Sequence, residues 1–305
     1  VYYQSDSAVQ TFLQVIFDEA KKIKMIITKI KGGLGNQLFQ YAVGRGVALH
    51  HNLPLKLDLT IFETYNLHNG YRLDQFSIHA DIATENEIIN LKGRNNVLFS
   101  ALRKAGLIKK KSYFKEKGTS YFDASIFKNN SIYLDGYWQN ELYFSDIREL
   151  LLRELSPIRS MNDLGCAYLE CIKNSNSVSL HVRRGDYLNL KNFDVLDVDY
   201  YMKAVEYIKK SVEKPTFYIF SDDLEWCKNS LGFLDGCIYV DRTQTEIDDL
   251  KLMSFCRHNI IANSSFSWWG AWLNQNPKKT VIAPKGWHLN VPGSSNVVLS
   301  DWVKL

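Results

Sequence analysis

From Asn162 onward, strand-like and helix-like stretches alternate at short spacing, and this alternation limits the fold more than any other feature of the chain. Apolar runs at Val178–Val182, Thr216–Ser221, Cys237–Val240, Asn259–Ala262 and Thr280–Ala283 read as buried strands. Helical patterns lie between them, near Asp199–Val212, Asp223–Leu231, Thr245–Cys256 and Phe266–Gln275. Strands alternating with helices of this length predict a doubly wound parallel sheet, so the second half reads as a Rossmann-like domain. Ligands of such sheets bind in the crevice beyond the C-terminal strand ends, and the chemistry is sought there.

The first half opens in the same way. Met25–Ile30 reads as a strand and is followed at once by K-G-G-L-G-N-Q. Three glycines in four positions let backbone amides come close to a ligand. Asn36 is placed to cap a helix over Gln37–His50, and Leu55–Leu59 reads as the next strand. This βαβ unit brings Gly33, Gly35 and Asn36 to a helix start suited to anions, although a tight turn needs such glycines with no ligand present. Leu59–Asn130 carries few clear signals beyond a short helix at Glu85–Leu91. Ile132–Leu134 then leads into D-G-Y-W-Q-N-E-L-Y-F. Tyr137, Trp138 and Gln139 there suit a sugar, whose C–H face packs on aromatic rings while amides bind its hydroxyls; an ordinary core turn accounts for them equally well. Ser145–Leu155 reads as a helix stopped at Ser156-Pro157, which places a domain boundary near residue 157.

Three strand ends in the second half carry the chemistry. Val178–Tyr187 reads V-S-L-H-V-R-R-G-D-Y. Alternation sets His181 and Arg183 on one face and Val178, Leu180 and Val182 on the other. Arginine grips a diphosphate well because its fork makes paired hydrogen bonds to phosphate oxygens, so Arg183 is the principal diphosphate contact. Arg184 joins it only if the chain turns at Gly185, and a structural ion pair is its serious rival. His181 reads as a hydrogen-bonded scaffold more readily than as a base. In I-I-A-N-S-S-F-S-W-W-G-A-W-L, Asn263, Ser264, Ser265, Phe266 and Ser267 gather at a helix start where open amides and hydroxyls suit phosphate oxygens. Trp268, Trp269 and Trp272 are assigned to the core. In F-S-D-D, Ser221 and Asp222 are placed for ribose or base edges, with an aspartate N-cap as the alternative. The D-x-D at Asp197 and Asp199 stands before a helix, where Asp199 reads as its cap, and no divalent metal is expected.

Composition narrows the function classes. The 305 residues hold one large domain or two ordinary ones, with 46% hydrophobic and 23% charged residues, as in globular proteins. A formal charge of +4, with no basic cluster interleaved with stacking aromatics, gives no sign of nucleic-acid binding. Lys104–Lys117 is the most basic stretch and reads as a solvated loop, with an anionic acceptor or a membrane surface as the sharper alternative. Cys166, Cys171, Cys227, Cys237 and Cys256 are scattered, which fits free buried thiols in a reducing compartment better than a zinc site. Missing G-x-G-x-x-G disfavours a nicotinamide-dependent dehydrogenase. Residues 1–24 read as an expression-derived or native helical extension without a role.

G-G-L-G-N-Q, H-V-R-R-G-D-Y, F-S-D-D-L-E-W-C-K and D-D-L-K-L-M-S-F-C with N-S-S-F-S-W-W-G-A-W-L occur in that order. Together they resemble the bacterial branch of glycosyltransferase family 11, the galactoside α-1,2-fucosyltransferases, from Met25 to the last residue. The resemblance implies a GT-B-type fold with two Rossmann-like halves, an acceptor-side domain over 25–157 and a nucleotide-sugar domain over 158–305. It further implies GDP-β-L-fucose as donor, inversion at the sugar, no required metal or other cofactor, and Arg183 as the arginine on the donor diphosphate. The acceptor expected is a galactose-terminated oligosaccharide or lipid-linked glycan, whose 2-hydroxyl attacks fucose C1 as GDP departs. Asp186 is the first candidate for the base and Glu141 the second. Animal members carry a Golgi membrane anchor, and no apolar stretch here is long enough to span a bilayer. The expectation is a cytoplasmic bacterial enzyme, with a peripheral position at the inner membrane face as an extension of it. An α-1,6- or protein O-fucosyltransferase shares a related arginine motif and is the rival enzyme; a non-catalytic nucleotide-sugar or glycan-binding protein is the rival of another class.

Overall fold

The structure is a computed structural model that describes residues 24–64, 69–92, 112–118, 121–189, 195–240, 245–287 and 294–305. The expected N-terminal extension lies outside the described residues except for Lys24, as do residues 104–111 of the basic stretch.

The chain builds two parallel sheets. The first contains β1 (Ile26–Lys29), β2 (Leu55–Asp58), β3 (Asp81–Ile82), β4 (Tyr113–Lys115) and β5 (Ile132–Asp135), in the order β3-β2-β1-β5-β4. Both faces of β1 are covered: Ile26 packs in the main core and Ile27 in a smaller one with Ile88, Leu91 and Tyr133. Isoleucines on both faces suit a strand with no solvent side. The helix after β1, α1 (Leu34–His51), is buried nearly all round, from Leu34 to Ala48. It ends at Asn52, whose left-handed backbone (φ 51°) lets its N–H reach the carbonyls of Ala48 and Leu49. α2 (Glu85–Lys92) and α3 (Arg148–Glu154) complete this half.

The second sheet follows α4 (Asp163–Lys173) and is made of β6 (Asn176–Val182), β7 (Pro215–Ser221), β8 (Ile238–Tyr239), β9 (His258–Ile260), β10 (Val281–Ala283) and β11 (Val303–Lys304). Its order is β11-β10-β9-β6-β7-β8. The connecting helices are α5 (Val198–Ser211), α6 (Leu224–Ser230), α7 (Glu246–Phe255) and α8 (Ser265–Leu273). In α5 the buried residues Tyr201, Ala204, Val205 and Ile208 recur at helical spacing and cover Val178, Leu180 and Val182 of β6. The chain crosses from one sheet to the other near Pro157, where Ile158 N donates to the Gln75 carbonyl at 2.9 Å.

Two expected helix starts move. α1 begins at Leu34 with Gly33 as its N-cap, one turn before the position expected from Asn36. Asn36 is inside the helix because Gln139 claims its side chain, Nε2 donating to Oδ1 at 2.8 Å. Asp197, not Asp199, caps α5 by accepting from Tyr200 N. The tryptophans of α8 are core as expected, but they pack in the first-half core. Phe39 of α1 lies 4.5 Å from Trp268 and 5.1 Å from Trp269, and Phe144 stacks on Trp269 at 5.6 Å. α8 thus belongs to the second sheet by connection and to the first core by packing. All five cysteines are free, but only Cys227 and Cys256 are buried as expected; Cys166 and Cys171 lie exposed on α4 and Cys237 is half-buried. Among the described residues, no helix is long and apolar enough to cross a membrane.

Candidate active site

Each sheet has a place where the chain reverses its direction of growth, and loops leaving neighbouring strands there diverge to open a crevice. In the first sheet it lies between β1 and β5, so the Gly32–Gly33 turn and the Gly136–Asn140 turn flank it. In the second it lies between β6 and β9, flanked by Arg183–Gly185 and by Ile261–Ser264. Gly35 is one point at which the two halves touch beside these crevices. A Cβ on Gly35 would lie 2.4 Å from Phe266 N and 2.7 Å from Ser265 O, so only glycine lets α1 touch the start of α8.

The first crevice is knitted by side chains. Gly32 takes a left-handed conformation (φ 77°) that turns the chain from β1 into α1. Gln139 bonds Asn36 and accepts from Trp287 Nε1 at 3.2 Å. Lys31 is paired with Asp135 at 3.0 Å, and its Nζ stands 4.9 Å from the centre of the Tyr137 ring. Lys31 and its neighbours hold the Asp135 carboxyl below the usual range, against the opposing effect of burial. Tyr137 and Trp138 part company: Tyr137 is 39% exposed and Trp138 is fully buried against Tyr143. The sugar reading therefore survives for Tyr137, and the core reading describes Trp138.

In the second crevice Arg183 and Arg184 diverge. Arg183 Nη1 is 3.1 Å from Asp222 Oδ2, and its guanidinium stands 5.6 Å from the Tyr187 ring. Tyr187 in turn donates to the Asn263 carbonyl at 3.1 Å, tying the two sides of the crevice together. Arg184 turns the other way, paired with Asp223 at 3.3 Å and lying 4.2 Å over Trp226. Its role in this structure is the ion pair, not the crevice. His181 is buried, with Phe266 5.7 Å away ring to ring, and its Nδ1 has no hydrogen-bond partner among the described residues. Burial and the nearby Arg183 charge push its pKa down to about 3, against an opposing pull from Asp222, so it stays neutral at ordinary pH.

The helix start offers fewer hydroxyls than three serines suggest. Ser267 is fully buried and bonds back to the Ser264 carbonyl at 3.3 Å, so it braces the helix. Ser264 is the N-cap and makes no side-chain capping bond. The opposite end of α8 is already satisfied by cations: Lys279 donates to the carbonyls of Ala271 and Asn274 at 2.8 Å, and Arg148 donates to that of Trp272 at 2.6 Å. Burial and Arg148 bring the Lys279 amine down to about 8. At the crevice end of α8 the first amides have no partner within the helix and none from a capping side chain, which makes that end a positive pole.

Ser221 accepts from Asp223 N at 2.9 Å, and Asp223 caps α6 by accepting from Trp226 N. Asp222 accepts from Arg184 N at 2.9 Å as well as pairing with Arg183. Both residues thus first serve the β7 end, with Asp222 orienting the arginine. Glu141 does not join the cluster: its carboxylate accepts from Trp272 Nε1 at 2.6 Å, near the far end of α8. Asp186 opens the short 3-10 turn Asp186–Asn189 directly after the arginines, and its side chain lies outside those described. Among the described residues, no three His, Cys, Asp or Glu side chains gather as a metal-binding group.

Sequence reasoning missed Glu116, which accepts from the backbone of Tyr137 and Trp138. It lies in a stretch without helical or strand periodicity, and nothing local signals a partner some twenty residues on.

Comparison with known proteins bears on what this cleft is. The family model described as glycosyl transferase family 11 matches residues 8–305. An alpha-1,2-colitosyltransferase of Escherichia coli is 34% identical over 276 residues, covering 87% of this chain and 93% of that protein. The O-antigen biosynthesis glycosyltransferase WbnK, also of Escherichia coli, is 32% identical and covers 90% and 99%. Human galactoside alpha-(1,2)-fucosyltransferase 1 is 26% identical over 46% of this chain and 42% of its own. Among solved structures, NodZ alpha-1,6-fucosyltransferase co-crystallized with GDP is 14% identical with a TM-score of 0.50, covering 82% of this chain and 92% of that one. Arabidopsis thaliana FUT1 in complex with GDP is 12% identical with a TM-score of 0.51, covering 89% and 74%. The likeness of these two structures is one of fold, and a mixed α/β chain with two parallel sheets is the GT-B-type arrangement that the resemblance implied.

Proposed function

The chain belongs to glycosyl transferase family 11, and from that premise we propose that it is an inverting, metal-independent transferase. It would move L-fucose from GDP-β-L-fucose to the 2-hydroxyl of a terminal galactose in an oligosaccharide or lipid-linked glycan. One observation carries this reading: Arg183 and the open end of α8 converge on the second sheet's crevice, joined through Gly35 to the first.

Departure of GDP leaves negative charge on the diphosphate, and a transferase must stabilise it where it develops. Arg183, held by Asp222, would supply a paired donor, while the amides at Ser265 and Phe266 would add a helix pole already fixed in place. With the cations at its other end satisfied by carbonyls, α8 keeps this orientation before the donor arrives. Neutral His181 would offer hydrogen bonding without repelling the neighbouring guanidinium. The acceptor would enter from the first crevice beside Tyr137 and Asn36, with its hydroxyl directed at fucose C1. Of the two carboxylates expected as the base, Asp186 follows Arg183 by three residues, whereas Glu141 is bound to Trp272. Asp186 is therefore the proposed base.

A second reading concerns the donor sugar. The relative at 34% identity is named a colitosyltransferase, so GDP-colitose is the competing donor. The test is a screen of GDP-fucose, GDP-colitose, GDP-mannose and UDP-galactose against lactose and N-acetyllactosamine, with the product linkage read by NMR. An α-1,2-fucosylated product supports the proposal. An α-1,6 linkage, a preference for GDP-colitose, or donor binding with no transfer would each replace it.

A further inference from the structure

The turn that carries Tyr137 is costly to hold. Trp138 sits in the left-handed region (φ 56°), which a bulky side chain seldom adopts. Its buried indole Nε1 finds no hydrogen-bond partner among the described residues. Such a conformation persists only where its surroundings over-determine it. Glu116, just after β4, does this with one carboxylate: Tyr137 N donates to Oε2 at 2.6 Å and Trp138 N donates to Oε1 at 3.1 Å. Gly136 leaves room for that grip, since a Cβ there would lie 2.4 Å from the Glu116 Cβ. Asn140 N closes the turn on the Trp138 carbonyl at 2.7 Å.

The result is a turn whose two aromatic rings point opposite ways. Trp138 goes into the core, and Tyr137 stands at the mouth of the cleft, its Cε1 3.7 Å from a Cβ position on Gly32. Lys31 packs against the same ring, and Gln139 at the end of the turn holds Asn36.

We infer that Glu116 is a positioning residue for the acceptor sugar, holding the strained turn that presents Tyr137 as a stacking face beside the glycine turn. The inference rests on the cleft being a transferase site. Glu116 acts through Tyr137 and touches no substrate. Two amide donors need two acceptor oxygens, which a carboxylate has and a glutamine lacks, because its NH2 would face one of the N–H groups.

The test compares Glu116→Gln and Glu116→Asp with the wild type, using N-acetyllactosamine and GDP-fucose in steady-state kinetics and GDP in calorimetry. Loss of a charge-assisted grip predicts an acceptor KM raised about tenfold in the glutamine variant. GDP affinity and donor KM stay within about twofold, since the second crevice is untouched. The aspartate variant, which keeps both oxygens, recovers most of the acceptor KM. An unchanged acceptor KM overturns the inference, as does a parallel loss of donor and acceptor affinity. If the glutamine variant does not fold, Tyr137→Ala, which keeps both backbone amides on Glu116 and removes only the stacking face, reads the same split, and an unchanged acceptor KM overturns the inference. Wild-type protein that neither binds GDP nor transfers fucose overturns the transferase reading as well, and shows this before any variant is made.

Discussion

Replacing Gly35 by alanine puts a methyl group where the two halves of the molecule touch. Its carbon would sit 2.4 Å from Phe266 N and 2.5 Å from Ser265 C, against an ordinary contact that begins at 3.4 Å. Both neighbours are backbone, so no side chain can swing aside, and the start of α8 must retreat from α1 by about 1 Å. Overpacking of this kind costs roughly 1–3 kcal/mol, and alanine's better helix propensity returns less than about 1 kcal/mol of it. The net loss lowers Tm by a few degrees, at roughly 2–4 °C per kcal/mol in a chain of this size class. The effect on function is larger, because a 1 Å misplacement of a charge-stabilising group can cost about 100-fold in rate. Thermal unfolding, GDP calorimetry and initial rates on GDP-fucose measure the three quantities on one preparation. GDP affinity and kcat/KM that stay within twofold while Tm drops would refute the assignment of the α8 start to the diphosphate.

Other perturbations separate binding roles from scaffold roles. Arg183→Ala lowers kcat/KM for GDP-fucose by about 100-fold through lost charge-assisted bonds, whereas Arg184→Ala mainly lowers Tm, since its guanidinium is spent on Asp223 and Trp226; kinetics and melting on the pair reveal any reversal. His181 has a folded pKa near 3, below its unfolded value of about 6.5, so the unfolded chain takes up a proton that the native one refuses between those values. Stability therefore falls as pH drops from about 6.5 toward 3, at up to about 1.4 kcal/mol per pH unit for this group, and His181→Asn flattens that slope in denaturant titrations across pH 4–7. Glu141→Gln leaves kcat within about threefold because its carboxylate is bound to Trp272, and a fall of about a thousandfold would return Glu141 to the role of base.

Much of the second half is legible in sequence because its longer strands, β6 and β7, carry apolar runs that end at turn residues. β6 shows this best, with Val178, Leu180 and Val182 facing one core and an arginine at its end. The two-residue strands β3 and β11 are not legible: Asp81-Ile82 and Val303-Lys304 are too short for any period, and their neighbours alone make them strands. Long-range partners explain the other differences. Asn36 looks like a cap until Gln139, a hundred residues away in sequence, takes its side chain. Ser267 looks like a phosphate ligand until the helix turns it inward. Arg184 follows Arg183 in the chain, yet a bend at the strand end gives the two guanidiniums different carboxylates. The Glu116 grip depends on a register between β4 and β5 that only the folded sheet supplies.

A crystal of the protein grown with GDP and read by diffraction bears most directly on the donor site. The diphosphate should lie within hydrogen-bonding distance of the Arg183 guanidinium and of backbone amides at Ser265 and Phe266, beyond the ends of β6 and β9. GDP found in another cleft, with Arg183 still turned to Asp222 alone, would contradict the assignment.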